Sequence, residues 1–261
     1  MKIIVCVKQV PDTTEVKIDP ETNTLIRQGV PSIVNPFDLN AVETGLQLRE
    51  KNGGEVVVIS MGPPQAAEAL KECLAMGADK VYLISDRAFG GSDTLATSYT
   101  LASAIRKLGG CDMIICGKQA IDGDTAQVGP EMAEHLDISQ VTYVAGVEVD
   151  GDKVTVKREH EEGYETIATT LPVMLSVVKS INEPRLPTIK GTIKANAAEI
   201  PVLTVADLEV EADKLGLTGS PTLVKNIFTP EQRGHGEMIA GSDAAETVEI
   251  LLQRLRDAKL L

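Results

Sequence analysis

The sequence predicts an α/β fold: an open, mostly parallel, doubly wound sheet with a β-rich extension and a C-terminal helical arm. Three observations carry this. Short apolar runs at 2–8, 55–61, 80–84 and 112–116 have strand length and little polar alternation, as strands covered on both faces do. Apolar residues at i, i+3, i+4 spacing separate them at 38–51, 64–76 and 93–108. The alternation implies crossover helices on both faces of one sheet.

Each element has a local reason. The chain opens straight into strand pattern, Met1-Lys2-Ile3-Ile4-Val5-Cys6-Val7-Lys8, too short an apolar run for a signal peptide. Residues 13–28 alternate around Pro20-Glu21-Thr22-Asn23 and predict an inserted hairpin. Asp38 suits the N-cap of the first helix, with Pro36 fixing its approach. Pro63 and Pro64 suit the first turn of the second helix and Gly77 its end. In Phe89-Gly90-Gly91-Ser92-Asp93-Thr94, Ser92-Asp93 suits the N-cap of the third.

Beyond Gln140 the texture changes. Runs at 141–149, 153–160, 164–170 and 173–177 predict further strands, with Asp150-Gly151 as a tight turn. Pro184 and Pro187 predict an extended, exposed loop over 182–189. After a Gly-rich linker at 233–242, Val248, Leu251, Leu252, Leu255 and Leu260 form one apolar stripe of a terminal helix suited to a partner subunit. The expected division is 1–228 as one α/β domain and 229–261 as linker and arm.

Composition excludes several function classes. A chain of 261 residues can bury a large core. A net charge of −13 opposes binding to nucleic acid, which needs a basic face. No run approaches the roughly 18 apolar residues that span a bilayer. Cys6, Cys73, Cys111 and Cys116 form no C-x-x-C pair and the chain has 3 His, so buried thiols in a reducing cytoplasm are expected, without a metal or disulfide set.

The candidate site is the segment Gly117-Lys118-Gln119-Ala120-Ile121-Asp122-Gly123-Asp124-Thr125-Ala126-Gln127-Val128-Gly129-Pro130. It joins a buried strand to a helix, so its free backbone N–H groups and the helix start suit a phosphate or pyrophosphate. Asp124 and Gln127 also fit a capping box, which needs no ligand. Asn35-Pro36-Phe37-Asp38 and Ser60-Met61-Gly62-Pro63 follow other strands at the same sheet edge, as does Cys6. Open α/β sheets bind ligands there, at the point where strand order reverses. No Walker loop and no G-x-G-x-x-G follows the first strand. No catalytic triad or paired carboxylate is evident, and His135 and His160 stand alone. The expectation is a Rossmann-like holder of an adenine nucleotide without catalytic residues of its own.

Taken in order, Val5-Cys6-Val7-Lys8-Gln9, Asn35-Pro36-Phe37-Asp38, Ala75-Met76-Gly77-Ala78-Asp79, Gly117 to Asp122, Glu162-Gly163-Tyr164-Glu165, Leu171-Pro172, Asn182-Glu183-Pro184-Arg185 and Ile193-Lys194-Ala195 resemble the β subunit of electron transfer flavoproteins. The resemblance runs nearly end to end. It implies a heterodimer with an α subunit that carries the redox flavin. It also implies an adenine nucleotide in this chain, FAD or AMP, held by Cys6, Asn35, Pro36, Phe37, Asp38, Met61 and the run Gly117, Lys118, Gln119, Ala120, Ile121, Asp122, Gly123, Asp124, Thr125, Ala126, Gln127, Val128. The run 122–130 resembles that of bifurcating members from anaerobes, which implies FAD. NADH would then supply electrons to an acyl-CoA dehydrogenase and to ferredoxin or flavodoxin. The loop after Asn182, with Arg185 and the apolar anchor Ile189, resembles the family's docking loop for the dehydrogenase. Alternatives are a non-bifurcating carrier with structural AMP, a free-standing nucleotide-binding stress-type protein, and a nucleotide hydrolase.

Overall fold

The computed structural model describes residues 1–12, 32–225, 234 and 236–261. The hairpin predicted at 13–28 lies outside the described residues. The chain divides into two compact units, residues 1–225 and 226–261.

The first unit is built on β1 (Lys2–Cys6), α1 (Pro36–Asn52), β4 (Glu55–Met61), α2 (Ala67–Met76), β5 (Lys80–Ile84), α3 (Thr94–Lys107), β6 (Met113–Gly117) and α4 (Val128–Leu136). Two short strands, β2 (Gln9–Pro11) and β3 (Ser32–Val34), pair with each other. Then follow β7 (Ser139–Asp150), β8 (Lys153–His160), β9 (Gly163–Thr170), β10 (Val173–Val177), α5 (Ile189–Ala197) and β11 (Val202–Leu203). The large sheet runs β11-β5-β4-β1-β6-β10-β7-β8-β9. Its strands are parallel as far as β7, and β8 and β9 add antiparallel. This is the expected doubly wound sheet with its β-rich extension.

The pleat explains the double winding, because successive side chains point to opposite faces. Ile3, Val5, Val56 and Val58 pack with Val42 and Leu46 of α1 and Leu70 of α2. Ile4, Val57, Ile59 and Ile114 pack on the other face with Leu101 and Ile105 of α3 and Met132 of α4. Both faces of β1, β4 and β6 are therefore dry, which is why these strands read as continuous apolar runs.

Punctuation follows the chemistry of the chain. Gly77 ends α2 at φ 125, and its N–H reaches the carbonyls of Cys73 and Leu74. Asp93 caps α3, its carboxylate accepting from the N–H of Ala96 at 3.1 Å. Gly151 takes φ 60 in the β7–β8 turn. Pro64 opens a short 3-10 turn, Pro64–Ala66, and α2 itself begins only at Ala67. The expected extended loop is shorter than the prolines suggested. After Pro187, Thr188 caps a new helix by accepting from the N–H of Gly191 at 2.9 Å, so Ile189 is the first residue of α5.

In the second unit, α6 (Ala244–Asp257) is capped by Asp243, whose carboxylate accepts from Glu246 N–H at 2.9 Å. Val248, Leu251 and Leu252 are exposed on it. No helix among the described residues is long and apolar enough to cross a membrane.

Candidate nucleotide site at the sheet edge

The strand order turns back between β1 and β6, and their C-terminal ends form the crevice where open α/β sheets take ligands. Beyond its last paired residue a parallel strand leaves N–H groups that need partners. Asp38 supplies them. Its carboxylate accepts from Lys8 N–H at 2.8 Å and from Gly117 N–H at 3.1 Å, joining the ends of both strands to α1. Asp38 is therefore not the N-cap that its position suggested. Asn35 stands at that position and makes no side-chain cap bond. Its amide is used on the loop, donating to Gln119 O at 2.8 Å and accepting from Ile121 N–H at 3.2 Å. Lys8 Nζ holds Asp122 at 2.6 and 2.8 Å.

Gly117 is required where α1 meets β6. A β carbon there would stand 2.4 Å from Asp38 Oδ1 and 2.6 Å from Phe37 Cβ. Pro36 starts α1, preset for the first turn. Cys6 lies opposite Cys116 across the β1–β6 pair. Met61 ends β4, one strand further along, paired with Ile84. Lys118 donates its N–H to Val177 O at 2.8 Å, and its ammonium lies 5.0 Å from the centre of the Tyr143 ring.

From Gly123 onward the loop opens. The N–H groups of Gly123 and Asp124 turn back to Ala120 O at 3.3 and 2.9 Å. Asp124 and Ala126 then adopt left-handed φ values of 51 and 54. Two non-glycine residues in that region within three positions mark strain of the kind found at ligand sites. The expected capping box is absent. α4 starts at Val128, Gln127 at its N-cap makes no side-chain bond, and Asp124 accepts from Gln119 Nε2 at 2.7 Å instead. The left-handed turn at Asp124 and Ala126 carries both carboxylate and amide away from the helix end. Among the described residues, the N–H groups of Thr125, Ala126, Gln127, Val128 and Gly129 have no partner. Gly123 has nothing within 4 Å of where a β carbon would be, and its φ is not left-handed. Neither strain nor crowding among the described residues explains a glycine there.

Burial pushes the Asp38 carboxyl up to about 7, against the opposing pull of its hydrogen bonds and of Lys8. Between about pH 4 and 7 the folded chain then holds a proton on Asp38 that the unfolded chain lacks. This share of stability is complete below the unfolded pKa, roughly 3.9, and is lost as pH rises to about 7. We expect urea stability of wild type relative to Asp38→Asn to fall across that window; parallel profiles would contradict the assignment.

Two residues that the sequence placed in motifs, without a role of their own, belong here. Lys8, in the Val5–Gln9 run, holds Asp122. Ser60, also at this edge, is buried with its hydroxyl unpartnered among the described residues. Elsewhere, Asp93 is engaged with the α3 N-terminus and with Thr222, and a β carbon on Gly91 would stand 2.6 Å from Leu217. The Gly90-Gly91 turn is thus packed, with no open phosphate loop. No group of three or more His, Cys, Asp or Glu among the described residues could hold a metal.

The segment after β10 is tied to the body of α1. Asn40 Nδ2 donates to Asn182 O at 2.9 Å and to Asn182 Oδ1 at 3.0 Å. Arg185 grips Glu43 through Nε at 2.7 Å and Nη2 at 3.0 Å, and reaches Glu50 at 2.6 Å. Burial would raise the Glu43 carboxyl, but its bonds to Arg185 hold it below its ordinary range. Arg185 is therefore occupied within the chain, while Leu186, Ile189 and Ile193 stand 86%, 84% and 67% exposed.

Comparison with known proteins shows the family. A model of the electron transfer flavoprotein domain matches residues 22–208. The chain belongs to the electron transfer flavoprotein family. It is 55% identical over 262 residues to electron transfer flavoprotein subunit beta of Thermoanaerobacterium thermosaccharolyticum, covering 100% of both chains. It is 52% identical over 270 residues to the protein of the same name in Megasphaera elsdenii, again over 100% of both. It is also 49% identical over 262 residues, with full coverage of both, to the caffeyl-CoA reductase-Etf complex subunit CarD of Acetobacterium woodii. The electron transfer flavoprotein reading thus rests on the whole chain, and the β subunit is the side of the family it resembles.

Proposed function

We propose that this β subunit holds FAD at the β1–β6 edge and works with an α subunit as an electron-bifurcating flavoprotein. The carrying observation is the run of N–H groups at 125–129 that have no partner among the described residues, beside the open space over Gly123. Such donors at a helix start bind the pyrophosphate of a dinucleotide. Asn35, Asp38 and Lys8 keep the loop in place, Gly117 lets α1 approach β6, and Cys6 and Met61 border the crevice. When bound, FAD supplies the redox chemistry, with two electrons entering from NADH and leaving singly toward two acceptors. The proposed acceptors are an acyl-CoA dehydrogenase, by way of the α subunit, and ferredoxin or flavodoxin. Relatives named for caffeyl-CoA reductase and acryloyl-CoA reductase support an acyl-CoA partner. Ile189, with Leu186 and Ile193, is the docking face we assign to that dehydrogenase; Arg185 fixes its base. The apolar stripe of α6 is assigned to the α subunit, and the complex to the cytoplasm.

Gly123→Leu tests the site. The side chain has room among the described residues, so the unfolding free energy of the nucleotide-free protein in urea should stay within about 0.5 kcal/mol of wild type. Nucleotide retained through purification should be lost. Full retention in this variant would remove the space over Gly123 from the site.

A further inference from the structure

Four sulfur atoms from four elements meet beneath the 117–130 loop. Cys6 of β1 and Cys116 of β6 are register partners on adjacent parallel strands. Met132 of α4 brings its Sδ to 3.9 Å from Cys6 Sγ. Met174 of β10 completes the group: a β carbon on Gly129 would stand 3.3 Å from Met174 Sδ and 3.7 Å from Cys116 Sγ. Gly129, having no side chain, lets both sulfurs approach its backbone closely. Cys6 and Cys116 are 9% and 8% exposed, and Met132 and Met174 are fully buried.

The spacing has a chemical meaning. A metal–thiolate bond of about 2.3 Å puts two donor sulfurs roughly 3.8–4.0 Å apart around a shared ion, in tetrahedral or trigonal geometry. The Cys6–Met132 separation of 3.9 Å lies in that range. Thiolate and thioether donors together select soft cations, Cu(I) before Zn(II), and disfavour hard ions that need oxygen. A disulfide would require the two cysteines to meet the narrower torsional demands of an S–S bond. An ion between them is less demanding.

We propose that Cys6, Cys116 and Met132, with Met174 as a fourth donor, form a binding site for a soft monovalent cation of the Cu(I) type. Binding is a ligand exchange without redox change. One Cu(I) and two thiols give two S–Cu bonds and release two protons to solvent, leaving a bis-thiolate centre of net charge −1. The site is independent of which nucleotide lies above it.

The test uses the full chain with its α subunit, reduced and oxygen-free, competing for Cu(I) held by the coloured chelator bathocuproine disulfonate. Wild type should withdraw one Cu(I) per β chain more than Cys116→Ser does, with new ultraviolet thiolate-to-copper absorption. Cys111→Ser, outside the cluster, should bind as wild type. Met132→Leu keeps the apolar volume, so it remains informative should a cysteine variant fold poorly. It should weaken binding by at least the roughly 10–100-fold that lost supporting contacts cost a metal site. Equal withdrawal by wild type and Cys116→Ser, an unchanged affinity in Met132→Leu, or no withdrawal by wild type would each overturn the proposal.

Discussion

Gly117→Ala is expected to lower nucleotide retention and the melting temperature together. The added β carbon would lie 2.4 Å from Asp38 Oδ1, 2.6 Å from Phe37 Cβ and 2.7 Å from the Phe37 carbonyl carbon. Two of these three atoms belong to the first turn of α1 close to its axis, where no rotamer change gives way. The helix must shift from β6, and the Asp38 bonds to Lys8 and Gly117 stretch with it. Overpacking of this kind costs about 1–3 kcal/mol, and each kcal/mol lowers the melting temperature by roughly 2–4 °C in a domain of this size. The loop that begins at Gly117 moves as well, so nucleotide content should fall even where the variant stays folded. Calorimetry and cofactor analysis of one preparation check both effects. A variant with wild-type stability and full cofactor would show that α1 and β6 are less tightly fitted than these distances require.

Arg185→Ala should be the most destabilising substitution outside the candidate site. It leaves the Glu43 carboxylate, with its side chain only 5% exposed, without its cation. Removing one partner of a fully buried pair costs about 3–5 kcal/mol, and the loss here should be somewhat smaller, because the Arg185 side chain is 33% exposed and Gln47 still donates to Glu43. The Glu50 contact contributes little, since that carboxylate is half exposed. Adding Glu43→Gln to the variant should recover part of the loss by removing the orphaned charge, whereas Arg185→Lys should not restore the two-nitrogen grip. Urea unfolding of the four proteins separates these terms. A loss of under about 0.5 kcal/mol in Arg185→Ala would show that the pair acts as an ordinary surface bridge.

The fold was legible because its signals are local and repeated. Apolar runs marked β4, β5 and β10, and alternation marked β8, at their observed bounds, and glycine or proline marked most ends. Errors fell where one residue type serves two purposes. Asp38 has the chemistry of an N-cap, but strand-end N–H groups from β1 and β6 compete for its carboxylate and win. Asp124 and Gln127 have capping-box spacing, yet a left-handed turn at Asp124 and Ala126 sets them apart from the helix. Ile189 sat beside two prolines and read as loop, while Thr188 supplied the cap that starts α5. Contacts between distant segments, such as Asn40 with Asn182 and Glu43 with Arg185, leave no trace in periodicity. Position alone brings the candidate residues to one sheet edge, but which of them support the loop, and which N–H groups have no partner among the described residues, required coordinates.

The central claim is that the loop over Gly123 holds a dinucleotide flavin. It is tested most directly by producing the chain with its α subunit, denaturing the purified complex, and counting FAD and AMP per heterodimer by absorbance and chromatography. Two FAD and almost no AMP are expected, with one FAD lost in Gly123→Leu. One FAD and one AMP per heterodimer would contradict it and make this chain a structural nucleotide subunit.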